Sequence, residues 1–286
     1  MVRAAAKVSY HWQARRDHRK ARTHPMRILI TNDDGARADG IKLLEKIALT
    51  MSSDVWIVAP EFDQSGVSHA ISLHEPLRVH QEDERRFFVN GTPADCVVLG
   101  VERLLEGTPD LILSGVNRGG NMADSIAYSG TVGAAMTGLM MGVRSIALSQ
   151  FFHGTTIHWE TAERFAPGLI ENLIELDWPR PISPNINFPA CAPQDVTGVA
   201  ICPPGHGLIG GLNVDARVDM RGLSYYWLQF RRARSATVDP NSDYGLLLEN
   251  KITISPLRAD RHSEGDWEEF SVQHSDVLAA VTAPKL

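Results

Sequence analysis

The sequence predicts a doubly wound α/β fold, a mostly parallel sheet covered by helices on both faces. Three observations carry this. Short apolar runs at residues 27–31, 54–59, 110–114 and 144–149 end in polar loops, as buried strands do. Segments of helical character lie between most of them, and strands that alternate with helices argue a parallel sheet. Hydrophobic residues make up 43% of the 286-residue chain, which is enough to fill the core of such a fold.

The elements follow in order from Met26. Residues 27–31 (RILIT) form a strand that ends in the loop Asn32-Asp33-Asp34-Gly35. Ile41, Leu44, Ile47, Ala48 and Met51 recur at spacings of three and four, the mark of an amphipathic helix. Residues 54–59 (DVWIVA) are a second strand, stopped by Pro60, and residues 77–80 and 86–89 are the arms of a hairpin. Thr92 and Pro93 suit the N-cap and N1 positions of a helix running to about residue 106. Residues 110–114 (DLILS) and 144–149 (RSIALS) are further strands, and Ser129-Gly130-Thr131 opens a small-residue helix between them.

The second half is less regular. Residues 161–176 have helical character, and Pro167-Gly168 should kink that helix or mark its true start. Residues 184–189, 198–202, 224–230 and 249–256 read as strands with no obvious helix between each pair. Extended segments of this kind serve as arms that pack on a neighbouring subunit, so a homodimer or homotetramer is expected. The reading is one domain over 26–286, with a core at about 26–200 and oligomerisation segments at about 201–286.

Charge is unevenly placed. Residues 1–25 hold seven Lys/Arg and one acid, Asp17, and subtracting that +6 from the whole-chain −6 leaves −12 for residues 26–286. So acidic a body argues against long nucleic acid as partner, because phosphate neutralisation needs a basic face. The basic leader lacks the apolar segment of a secretory signal. It reads as a solvated, flexible tail or the result of an upstream start before Met26, with an organellar targeting peptide as the alternative. The longest apolar region, 132–143, is cut by Gly133, Gly138 and Gly142 and reads as a packed helix rather than a membrane span. Cys96, Cys191 and Cys202 are too few and too scattered for a disulfide framework or a zinc site, which suits a cytoplasmic protein.

Ligands of an open α/β sheet collect beyond the carboxyl ends of its strands. That selects the loops at 32–35, 61–68 and 115–121. Asp33 and Asp34 are adjacent carboxylates whose repulsion a divalent cation would relieve, and oxygen-only ligation suits Mg²⁺, Mn²⁺ or Ca²⁺. The same loop can instead be an Asp-Gly turn with Asp33 capping the next helix. Ser65-Gly66 can be a turn alone. The run from Ser114 to Asn121 offers glycines for close backbone approach and two Asn amides as neutral ligands, Asn117 and Asn121. Ser129-Gly130-Thr131 places exposed N–H groups at a helix start, a natural anion site, though Ser129 or Thr131 can be a plain N-cap. A cation loop and an anion loop at one sheet edge point to a phosphate bound to a metal.

At these residues the chain resembles the SurE family of survival proteins, metal-dependent 5′/3′-nucleotidases. The likeness runs through Met26-Arg27-Ile28-Leu29-Ile30-Thr31-Asn32-Asp33-Asp34-Gly35, Val58-Ala59-Pro60 with Gln64-Ser65-Gly66, and Asn90-Gly91-Thr92-Pro93-Ala94-Asp95-Cys96. It continues through Ser114-Gly115-Val116-Asn117 to Asn121 and through Tyr128-Ser129-Gly130-Thr131-Val132, then more weakly through Asn185-Ile186-Asn187-Phe188-Pro189 and Tyr225-Tyr226-Trp227. The resemblance implies one divalent cation per subunit, held by Asp33, Asp34, Ser65 and Asn117. It implies that Asn32, Asn121, Ser129, Gly130 and Thr131 hold the phosphate of a small nucleotide, and that C-terminal segments are exchanged between subunits. Asp39 stands where the family usually has proline, and Cys202-Pro203-Pro204-Gly205-His206 replaces a more basic segment.

The expected reaction is hydrolysis of a nucleoside monophosphate, with Asp33 or Asp34 accepting a proton from the attacking water. A leaving-group proton from His69 is one reading of that histidine and a plain hydrogen-bonding role the other; His206 is equally open. Rival readings are a short-chain polyphosphate phosphohydrolase, a nucleotide-binding sensor without turnover, and a nucleotide-sugar enzyme. The last would need a second domain of similar architecture, which the irregular second half does not supply.

Overall fold

The computed structural model describes residues 25–176, 182–232 and 238–259. Residues 1–24 of the basic leader and 260–286 of the expected oligomerisation segments lie outside the described residues. The strands are β1 (Ile28–Thr31), β2 (Val55–Pro60), β3 (Val79–Asp83), β4 (Arg86–Val89), β5 (Leu111–Arg118), β6 (Arg144–Gln150), β7 (Ile182–Phe188), β8 (Gly198–Ile201), β9 (Ile209–Val218), β10 (Ser224–Arg232) and β11 (Lys251–Arg258). The helices are α1 (Asp39–Met51), α2 (Pro93–Leu99), α3 (Gly130–Met140), α4 (Trp159–Glu175) and α5 (Asp243–Leu248).

Nine strands form one sheet in the order β3-β4-β2-β1-β5-β6-β7-β11-β8, while β9 and β10 make a separate antiparallel hairpin. Pairings along the centre are parallel, and β3 with β4 and β11 with β7 are the antiparallel exceptions. Alternation along β1 shows why both faces must be covered. Ile28 and Ile30 pack with Ile41 and Leu44 of α1 and Ile170 of α4, whereas Leu29 packs with Val97 of α2 and Ala134 of α3. Burying Ile41, Leu44 and Ile47 contributes roughly 1.5–3 kcal/mol apiece. The fold is therefore the doubly wound α/β arrangement that the sequence predicts. Its chain order reverses at β1, with β2 on one side and β5 on the other, and this switch point is where the crevice opens.

Several elements differ from the sequence expectation, each for a local reason. β5 runs to Arg118 rather than stopping at 114, because its pairing with β6 resumes after a break between Ser114 and Asn117. Gly115 makes that break possible: its φ is +134°, and a Cβ there would lie 2.2 Å from the Leu148 carbonyl oxygen. The helix expected to reach 106 ends as α2 at Leu99 and continues as a wider π turn over Gly100–Leu104. α4 begins at Trp159 and continues through Pro167, so Pro167-Gly168 does not mark its start. β9 and α5 have no counterpart in the sequence reading. The three cysteines are buried and unpaired.

The start of α2 matches the sequence reading residue for residue. Thr92 Oγ1 accepts the Asp95 N–H, and Asp95 accepts in return the N–H of Thr92 and both the N–H and hydroxyl of Ser72. Pro93 sits at N1. Thr92→Ala removes one cap bond and is expected to cost about 1 kcal/mol of unfolding free energy in urea titration. Asp95→Ala strands three donors around a buried position, so the expected loss is about 3 kcal/mol.

Candidate active site

The site is built outward from Asp33, at the carboxyl end of β1. This carboxylate is buried and sits against the first turn of α3. Thr131 donates its hydroxyl to Asp33 Oδ1 (2.6 Å) and its backbone N–H to Oδ2 (3.1 Å). Only glycine at 130 permits this approach, since a Cβ there would fall 2.9 Å from Asp33 Oδ2. Burial pushes the Asp33 carboxyl up to about 6, the Thr131 hydroxyl opposes that, and the neighbouring Asp34 charge adds to it. The backbone of Asp33 is held too, its carbonyl accepting the Gln64 N–H at 2.7 Å.

Asp34 is half-buried and faces the other way. Its Oδ2 accepts the Arg118 N–H at 2.8 Å, which ties the loop after β1 to the end of β5. Burial raises its carboxyl too; the Arg118 N–H opposes the shift and the Asp63 charge reinforces it. Two adjacent aspartates thus fasten three segments to the loop after β1: Asp33 holds α3 and the loop after β2, and Asp34 holds β5. The three predicted loops converge at one crevice.

The remaining predicted residues fall into two groups. Asn117 donates its amide to the Gly119 carbonyl (2.9 Å), leaving the side-chain oxygen as its ligating atom. Ser65 is exposed in a turn closed by its N–H to Asp63 Oδ1 (2.7 Å). Asn117 precedes Arg118, which bonds Asp34, and Ser65 follows Gln64, which bonds the Asp33 carbonyl. The expected phosphate residues are more engaged with the fold. Ser129 Oγ caps α3 by accepting the Val132 N–H, and both Thr131 donors serve Asp33. Asn32 is fully buried and closes its own loop on the Gly35 carbonyl (2.8 Å). Asn121 donates to Ser149 Oγ, its N–H goes to Asn187 Oδ1, and its carbonyl accepts Asn185 and Asn187 amides. His69 Nε2 lies 2.7 Å from Thr137 Oγ1, whose own proton goes to the Gly133 carbonyl, so the imidazole is the donor there. His206 is exposed and lines, with His69 and Ser129, a cavity of about 590 Å³.

Sequence reasoning passed over Arg118 and Gln64, which bond the two aspartates, and Asp63, whose charge acts on Asp34. The alternation Asn185-x-Asn187 was visible as a polar face on an otherwise buried strand, and it is this face that holds Asn121.

The residues present fit a hard cation. Asp33, Asp34, Ser65 and Asn117 can each present oxygen, and the Asp63 and Arg118 charges act on Asp34 in opposite directions. Asn32 Oδ1, one residue from Asp33, is buried with no hydrogen-bond partner among the described residues. Among those residues no group of three His, Cys, Asp or Glu side chains is placed to hold a metal, so the fit rests on the two carboxylates together with the neutral oxygens of Ser65 and Asn117.

Fold and site together define a class: a doubly wound α/β protein with an acidic, oxygen-lined centre at its topological switch point. Comparison with known proteins narrows it. The family model described as "Survival protein SurE" matches residues 28–209. Proteins named 5′-nucleotidase SurE from Brucella canis and Allorhizobium ampelinum are 49% identical over 239 residues and 48% over 258. Those matches cover 82% and 89% of this chain and 93% and 97% of the relatives. The solved SurE protein from Aquifex aeolicus superposes with a TM-score of 0.72 at 31% identity, covering 86% of this chain and 99% of that one. The chain belongs to the SurE family.

Thr131→Val keeps the side-chain shape and removes the hydroxyl donor from Asp33. The expected loss is about 1–3 kcal/mol of unfolding free energy, because a buried carboxylate then keeps only one of its two Thr131 bonds. Equal stability of variant and wild type in urea titration would show that the Asp33 contact does not hold α3 to the sheet.

Proposed function

We propose that the protein is a divalent-cation-dependent 5′-nucleotidase that hydrolyses nucleoside monophosphates to nucleoside and inorganic phosphate. One observation carries the reading: the Asp33–Asp34 pair, fastened to α3 and β5 in a chain that is half identical to relatives named for this activity. Asp33, Asp34, Ser65 and Asn117 would hold the cation, with Mg²⁺ or Mn²⁺ the working ion and Ca²⁺ compatible with the same oxygens. When bound, such an ion offsets phosphoryl charge and lowers the pKa of a water.

The chain's own groups supply the rest. Among the described residues the Asp34 carboxylate is bonded only by the Arg118 N–H, so its second oxygen is free to align the attacking water and take its proton. Asp33 has both oxygens engaged by Thr131, which favours direct attack by water over an aspartyl-phosphate. Water attacks phosphorus and gives its proton to Asp34, the bond to the ribose oxygen breaks, and that proton passes on to the ribose oxygen. Gly130 N–H and the Ser129 hydroxyl, at the positive end of α3, receive phosphoryl oxygens. Thr131 keeps Asp33 in place, and Asn32 and Asn121 hold the loops that carry these groups. Oxygen donors that recognise the phosphate do not read the ester position, so 3′-monophosphates are candidate substrates too.

The β9–β10 hairpin supports the expected homo-oligomer. Val214, Tyr226, Trp227 and Leu228 are each more than half exposed on it, a large apolar surface for a lone chain. Among the described residues no helix is long and apolar enough to cross a membrane. Three unpaired, buried cysteines suit the reducing cytoplasm.

The test is phosphate release from a panel of 5′- and 3′-monophosphates with Mg²⁺, Mn²⁺ or EDTA. Release is expected with either ion, to vanish in EDTA, and to fall at least about a hundredfold in Asp34→Ala. Release that persists in EDTA would reject the cation dependence, and tight nucleotide binding without release would reject the enzyme.

A further inference from the structure

We propose that the cavity beside Arg118 is the subsite for the substrate's nucleobase and that Phe152 is the ring on which the base stacks. The inference rests on the nucleotidase reading and adds to it the place where the base is bound. The cavity encloses about 460 Å³ and is walled by Arg118, Met122, Phe151, Phe152, Phe230 and Tyr244. That is within the range of small-molecule sites, about 300–1,000 Å³.

Its position follows from one residue with two contacts. The Arg118 N–H holds Asp34, and the Arg118 guanidinium lies 5.6 Å from the centroid of the Phe152 ring. With the phosphate on the Ser129–Gly130 turn and the proposed cation at Asp34, Arg118 is the residue that links the two places, because it bonds Asp34 through its N–H and also lines this cavity. Its lining matches the chemistry of a base, which offers flat π faces and a polar edge. Guanidinium and aromatic planes are the surfaces on which bases stack, and here Arg118 and Phe152 present both.

The other aromatic rings close the cavity from separate parts of the fold. Phe151 is buried and braced edge-on by His153 at 4.7 Å and by Tyr244 of α5 at 6.3 Å between ring centroids. Phe230 comes from β10 and packs on Tyr128 at 4.9 Å. Phe152, between them, is only half-buried. The larger cavity, beside Ser129, has no Phe, Tyr or Trp in its lining, where the planar groups are those of His69, His206 and Arg258. Because stacking does not depend on which base is presented, this site should accept purines and pyrimidines alike.

The experiment compares wild type, Phe152→Ala and Phe152→Leu on adenosine 5′-monophosphate and on ribose 5-phosphate, which has the same sugar and phosphate but no base. Phe152→Ala is expected to raise KM for the nucleotide roughly tenfold with kcat nearly unchanged. Both constants for ribose 5-phosphate should stay as in wild type, which also shows that the variant is folded. Phe152→Leu keeps an apolar side chain without the aromatic face and should show a similar rise. Adenosine should inhibit wild-type hydrolysis of ribose 5-phosphate and do so more weakly in both variants. An unchanged KM for the nucleotide, or the same change for both substrates, would overturn the subsite. So would a wild-type enzyme that hydrolyses ribose 5-phosphate and no nucleotide. A wild type that hydrolyses neither would instead overturn the nucleotidase reading, and the subsite with it.

Discussion

The architecture of the crevice depends on one buried charge. Asp33 is a carboxylate held out of water with a second carboxylate beside it, a placement that desolvation and repulsion both oppose. It is tolerated because α3 begins against it: two Thr131 donors bond its oxygens, and the positive end of the helix faces the charge. Those bonds do not cancel the penalty, since the Asp33 carboxyl still stands above its ordinary range. On the reading proposed above, a divalent cation would offset the charge that remains at Asp33.

The doubly wound sheet is what brings the pieces to that point. At the switch between β2-β1 and β5, the loops that leave adjacent strands diverge and open a crevice, and each is then tied back to the aspartates. Gln64 reaches the Asp33 carbonyl from the loop after β2, and Arg118 reaches Asp34 from the end of β5. Asn185 and Asn187 of β7 extend the frame one strand further by holding Asn121. Several of the expected phosphate residues, Asn32, Asn121 and Thr131, also make hydrogen bonds within the protein that tie these loops together.

What was legible in the sequence was local chemistry. The Thr92-Pro93 start of α2, the apolar stripe of α1 and the short strands at the sheet centre each follow from a few neighbouring residues, and each is present. Features that depend on partners far along the chain were not legible. Ser129-Gly130-Thr131 reads as an anion site, but nothing local says that the Thr131 N–H and hydroxyl are taken by the Asp33 carboxylate, 98 residues back. β9 escaped notice because Gly210 and Gly211 interrupt its pattern and much of its surface is exposed on both faces, so no alternation marks it. α5 is a six-residue helix capped by Ser242, too short to show a period. Pro167 misled for the opposite reason: a strong local breaker was overridden by the burial of Ala166 and Ile170 against the sheet.

The most direct test of this account is anomalous diffraction from crystals grown with Mn²⁺. The account predicts a single strong peak in each subunit, about 2.0–2.3 Å from oxygens of Asp33 and Asp34 and within reach of the Asn117 side-chain oxygen. Peaks only elsewhere, or none at the aspartate pair under saturating Mn²⁺, would contradict the claim that the buried Asp33 charge exists to hold a cation.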